Sequence, residues 1–234
     1  VWEGRRAALL NELRRQRDAA REALDRDAPE EVVERLSHPA GLAAVAAQLW
    51  LEAARRIYSS KEQDGVLAEV TQAAGHPEAH ALYHAAMGVQ PGQAKAAAPR
   101  VLELGKCGVA FFRRLSAVPR SYYEQRQRLP VWAIWVRYLA ATLALAPRKG
   151  HPAAVYQKWG TFHYWTTEMP GLIVNDLRDK EAPGVEALAA HTAAAERLSN
   201  ALRETLLGPA PAPERAHLAL AAAERLVELT EQAL

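Results

Sequence analysis

Apolar side chains recur every three or four residues along most of this chain, and no stretch alternates apolar and polar residues over the length of a strand. Trp2 to Asp27 reads as one long charged helix, and Pro29 suits the first turn of another that runs to Leu36. His38-Pro39 is expected to break the chain. From Ala40 to Tyr58, Leu42, Val45, Leu49 and Ile57 fall at helical spacing with Trp50 beside them, and Ser60 followed by Gln63 resembles a capping box for a helix reaching Ala74. A short helix from Glu78 to Met87 should stop at Gly88, because glycine takes the left-handed conformation without a Cβ clash.

The second half follows the same logic. Val89 to Ala98 reads as a loop, and helix resumes from Pro99 to Ser116 with Gly105 and Gly108 placed for close helix packing. Pro119 and Pro130 bracket a basic connector. Val131 to Ala146 is an apolar run of 16 residues containing Arg137, short of the roughly 17–25 residues that cross a bilayer, so it is expected to be a buried helix with Trp135 in the core. Trp132, Trp135 and Tyr138 with Arg148-Lys149 beyond would also suit a helix at a membrane surface. A loop at Pro147 to Pro152, a helix to Met169, a Pro170-Gly171 turn and a short element from Leu172 to Arg178 come next. Val185 to Leu207 and Glu214 to Leu234 flank the stiff Gly208 to Pro213 spacer and should pair as a hairpin. The fold read from this pattern is all-α, a compact multi-helix bundle of about eight to ten helices with a C-terminal helical hairpin. Residues 1–182 would form the core, with 183–234 docked on it as one domain.

Composition narrows the picture further. The 234 residues are 50% hydrophobic and 24% charged, enough for a real core without staples, and the single cysteine, Cys107, excludes an internal disulfide or a multi-cysteine zinc site. Trp2 to Arg17 is too charged for a signal-peptide core, which points to the cytoplasm. The net charge is only +2, but residues 111–165 hold nine basic side chains and one acidic one, and twelve of the sixteen aromatics. Arg113, Arg114, Arg120, Tyr122, Tyr123, Arg126, Arg128, Arg148, Lys149 and Lys158 are therefore the candidate binding residues. Cations neutralise phosphates and flat rings stack on unpaired bases, so nucleic acid is one candidate partner. An acidic protein surface, or the chain's own acidic C-terminal helices, is the other.

Candidate chemistry is thinner. His76, His80 and His84 lie four apart, and His80 with His84 are spaced to chelate a divalent metal from one helix face, although Pro77 weakens His76 as a member. Glu214 and His217 form a single E-x-x-H without the second copy a di-iron bundle needs. Cys107, between glycines, reads as an inert buried thiol. His163, Glu168, Asn175, Asp176 and Asp179 cluster in sequence around the Pro170 turn. No phosphate-cradling glycine loop or nucleophile elbow is present. The sequence reading is thus a non-enzymatic helical binding subunit or adaptor of a larger assembly, with a protein partner or nucleic acid on the basic aromatic segment, no membrane and no cofactor. The competing reading is a small helical metal-dependent enzyme or ligand-binding bundle.

Overall fold

The computed structural model describes residues 2–25, 32–58, 62–207 and 213–234. These residues are helical almost throughout, with no strand among them, and their contacts separate into two units. Unit 1 comprises Val1–Pro91, Gly150–Gln157 and Leu207–Leu234; unit 2 comprises Gly92–Lys149 and Lys158–Leu206.

In unit 1, α1 (Trp2–Asp25), α2 (Val32–Ala53), α3 (Gln63–Ala73), α4 (Glu78–Ala86) and α10 (Pro213–Ala233) surround one core. The helix α10 packs on α2, α4 and α1 because Ala216, Ala219, Ala223, Leu226 and Val227 form a buried stripe at helical spacing. Across this packing the buried Trp50 donates its indole N–H to Thr230 Oγ1 at 2.9 Å, so the largest core side chain has no unmet donor. The expected break at His38-Pro39 does not occur: α2 continues through Pro39. The hydrogen bond that proline removes is offset by the run from Leu42 to Leu51, most of which is buried. At its other end α2 stops five residues earlier than Tyr58, at Ala53, and Arg55 takes φ 51, which leaves Ile57 fully exposed rather than on a helix face. The expected cap at Ser60 lies outside the described residues. Gly88 ends α4 with φ 64, as its place after the helix requires.

Unit 2 holds α5 (Pro91–Leu115, from Gly92 on), α6 (Leu129–Leu145), the later part of α7 (Ala153–His163), α8 (Met169–Asp179) and α9 (Val185–Leu207). No loop occupies Val89 to Ala98: α5 begins at Pro91, where a missing N–H costs nothing, and runs through Pro99 with Ala94, Ala97 and Ala98 buried. Gly105 and Gly108 allow α6 to approach, since a Cβ on Gly105 would collide with Ala140 Cβ and one on Gly108 would meet Val136 at 3.0 Å and Thr166 at 3.2 Å.

The Pro170-Gly171 turn is also absent. Residues Tyr164–Glu168 form a π-helical segment, with the Met169 N–H reaching back to Tyr164 O, and helix continues directly into α8. Pro170 explains the widening: a regular turn would press its ring against the carbonyl of Thr166, four residues back. The last two helices fall in different units, α9 with α5 to α8 and α10 with α1 to α4. Most of the Gly208 to Pro213 spacer lies outside the described residues.

Candidate functional site

Two arrangements in the molecule have chemistry beyond packing, one in each unit. The first is built from α3 and α4. Asp64 sits in the first turn of α3, where a carboxylate is favoured by the helix dipole, yet it is only 1% exposed. On α4, His80 and His84 are one turn apart and direct both rings at it: His80 Nε2 lies 2.7 Å and His84 Nε2 2.6 Å from the same oxygen, Asp64 Oδ1. The other oxygen, Oδ2, accepts the backbone N–H of Ala153 at 3.2 Å, which ties the start of α7 to the site. Burial alone would raise the Asp64 carboxyl, but the two histidine hydrogen bonds and charges outweigh it and hold the group well below the usual carboxylate range.

The walls are ordered by the same residues. Tyr83, fully buried between His80 and His84 in sequence, has its hydroxyl pushed up by burial and by the Asp64 charge, and it accepts a hydrogen bond from Gln157 Nε2. Gly65 leaves space that the His151 ring occupies; a Cβ there would collide with it. The Nδ1 of His151 is closed off from solvent and has no hydrogen-bond partner among the described residues.

Of the histidines singled out by spacing, the structure brings His80 and His84 together and leaves His76 aside, 3.3 Å from Glu78 with its ring against Trp50. Asp64 was invisible to spacing, sixteen and twenty residues away from its partners; the one available signal is a carboxylate set into the apolar register of Leu67 and Val70. Among the described residues, this is the one group of three His, Cys, Asp or Glu whose ligand atoms converge.

The second arrangement is the basic aromatic segment. Arg113 and Arg114 are exposed on the last turn of α5, Arg120 follows it, and Arg126 and Arg128 are exposed on the short helical turn Glu124–Arg128 before α6. Arg148 and Lys149 are exposed just after α6, and Lys158 is half-buried on α7. None of these eight cations forms an ion pair with a described residue, nor does Arg137. Arg113, Arg114 and Arg137 share with Lys106 a groove of about 580 Å³ floored by Leu102, Val109 and Ala140. Arg120 and Arg128 line a separate recess. Arg148 and Lys149 stand at the far end of α6, about 30 Å from Arg128 at 1.5 Å per residue, so the segment is not one patch.

The aromatics divide. Phe111, Phe112 and Phe162 are buried, and Tyr122, Tyr123, Trp132 and Trp165 are half-buried, packed against the unit 2 core, with Tyr123 also lining a recess beside Trp132, Tyr164 and Trp165. The expectation that α6 would be buried along its length is corrected: Val131, Ile134, Trp135, Tyr138 and Leu145 are exposed, with Trp135 at 41%. Periodicity explains this. Leu129, Val136, Ala140 and Leu143 already fill the face toward α5, and a helix apolar on all sides leaves the opposite stripe outside. With its flanking turns, Glu124–Lys149 is also long and apolar enough to cross a membrane by length and composition, which the shorter run counted in the sequence is not.

The acid–base cluster expected near Pro170 does not assemble. His163 bonds to Ser199 Oγ at 2.7 Å and lies 3.2 Å from Glu168, but Asp176 pairs with Lys180, and Asn175 and Asp179 are exposed. Cys107 is half-buried with its thiol pushed up by burial, as an inert thiol should be. His217 is exposed on α10, and the side chain of Glu214 lies outside the described residues. In comparison with known proteins, no family model matches the chain, and neither a curated protein nor a solved structure is significantly similar to it.

Proposed function

We propose that this chain is a non-enzymatic helical binding subunit or adaptor that holds an acidic protein partner on the outer stripe of α6 and on the cations at its two ends. The observation that carries the reading is the exposed line of Val131, Ile134, Trp135, Tyr138 and Leu145, bracketed by Arg126 and Arg128 on one side and Arg148 and Lys149 on the other, with no carboxylate among the described residues paired to any of the four. An apolar, aromatic centre with an arginine rim is the composition of a protein-binding surface. Nucleic acid is less well matched, because branched aliphatics neither stack nor pair with phosphate, and Tyr122 and Tyr123 are half-buried against the unit 2 core.

The test is a photo-crosslinking residue at position 135 in the full chain, expressed in cells of its native source. The expected result is one crosslinked protein of acidic composition, retained after nuclease and lost when Arg126→Glu and Arg128→Glu are added. Crosslinks to RNA or DNA, or co-sedimentation of the purified chain with vesicles of phosphatidylglycerol and phosphatidylcholine in equal parts, would overturn it in favour of nucleic acid or an anionic membrane.

A further inference from the structure

Asp64, His80 and His84 form more than a satisfied buried carboxylate. One histidine would be enough to give Asp64 Oδ1 a hydrogen-bond partner; here two imidazoles, with ring centroids 4.2 Å apart, aim their Nε2 atoms at the same oxygen. Metal binding takes the neutral imidazole, and both Nε2 atoms already point at one carboxylate oxygen. Nitrogen and oxygen ligands about 2.0–2.2 Å from one ion stand roughly 3.0–3.5 Å from each other. The present separations of 2.7 and 2.6 Å therefore need to open by less than about 1 Å, which side-chain rotation supplies.

Access and surroundings fit as well. The carboxylate is closed off at 1% exposure while His80 and His84 remain 24% and 21% exposed, so an ion can enter from the histidine side and keep an open coordination position there. The Ala153 N–H fixes the orientation of the carboxylate, the kind of support that metal ligands receive from outside the coordination shell. Beside Gly65, next in the chain to Asp64, the closed-off Nδ1 of His151 adds a ring nitrogen with no partner among the described residues. We propose that Asp64, His80 and His84 are the protein ligands of a first-row divalent transition-metal ion of the zinc type. Two imidazoles with one carboxylate select such an ion over Mg²⁺ or Ca²⁺, which take oxygen ligands. This site lies in unit 1 and does not depend on the α6 surface.

The test uses the full chain with Zn²⁺, and Mg²⁺ as control. Calorimetry should show one Zn²⁺ per chain and no Mg²⁺ binding at the same concentration. His80→Gln and His84→Gln should each weaken Zn²⁺ at least about 100-fold, the upper end of what losing a supporting outer residue costs, while His76→Gln leaves it unchanged. A measurement on the unaltered chain covers variants that fold poorly: paramagnetic Co²⁺ should broaden the ring signals of His80 and His84 in NMR and spare those of His217. Undiminished Zn²⁺ binding in the His80→Gln, His84→Gln double variant, or Co²⁺ broadening that misses both rings, would overturn the assignment.

Discussion

The two units treat charge in opposite ways. In unit 1 four exposed arginines end on carboxylates of neighbouring helices: Arg5 on Glu52 at 3.1 Å, Arg14 on Glu231 at 3.3 Å, Arg21 on Glu224 and Arg56 on Glu69 at 2.9 Å. In unit 2 the nine cations of residues 111–165 find no such partner among the described residues, although acidic side chains are available on α8 and α9. Two of those carboxylates pair with other cations instead, Glu186 with Arg178 and Asp176 with Lys180. The charge imbalance of the sequence is therefore not cancelled by folding. Charge that closes one unit is left available on the other.

The same contrast holds for the large side chains, and it gives the largest expected effect. Trp50→Ala in unit 1 removes a ring that is 1% exposed and its hydrogen bond to Thr230, so it should cost about 3–5 kcal/mol in urea unfolding. Trp135→Ala in unit 2 removes a ring that is 41% exposed and stacked on Tyr138, and should cost no more than about 1 kcal/mol. Equal losses would mean that the α6 stripe is packed in solution and would remove the basis of the proposed partner surface.

Fold class was legible because it depends on one repeated signal, helical spacing, that survives local errors. The boundaries were less so. Pro39, Pro99 and Pro170 were each read as an interruption or a start, yet each lies inside or at the first turn of a helix, because buried neighbours outweigh one missing hydrogen bond. The burial of α6 was misread because hydrophobicity without a polar face specifies no direction, and only the α5 glycines decide which face turns inward. His80 and His84 were legible from their spacing. Asp64 was not, since a contact between helices leaves no period in the chain, and neither did the grouping of α10 with α1 to α4.

The glycines sharpen the comparison at a smaller scale. Gly105→Ala places a methyl on Ala140 Cβ, an atom fixed to the α6 backbone, and should destabilise by about 1–3 kcal/mol even after its gain in helix propensity. Gly160→Ala, in α7 with nothing within reach of a new Cβ, should instead stabilise by roughly 0.5–1 kcal/mol. If both alanines behaved alike in thermal unfolding, the close α5–α6 approach would be absent in solution.

A pH series isolates one buried group of unit 2. Burial lowers the His163 pKa below its ordinary value, an effect that Arg203 adds to and Glu168 and Glu196 oppose. The unfolded chain therefore binds more protons at this residue than the folded one between the lowered pKa and about 6.5. The stability it contributes is complete above about pH 6.5 and is lost as the pH falls through the folded pKa. Thermal midpoints measured from pH 7 downward should fall less steeply in His163→Gln than in the unaltered chain, and parallel curves would show that this ring is not held neutral.

The smallest effect on stability separates the units most directly. Removing Arg14 and Arg21 together from unit 1 breaks two contacts from α1 to α10, and exposed pairs of this kind contribute about 0.2–1 kcal/mol each, screened as salt rises. Removing Arg126 and Arg128 from unit 2 breaks no ion pair and relieves repulsion between like charges, so the melting temperature should hold or rise slightly. Raising the salt should then narrow the gap between the two double variants from both sides, since it screens the unit 1 attractions and the unit 2 repulsion alike. A loss of stability on removing Arg126 and Arg128 would mean that these side chains already have an internal carboxylate partner in solution. The cations beside α6 would then be part of the fold, as they are in unit 1, rather than a surface kept for another molecule.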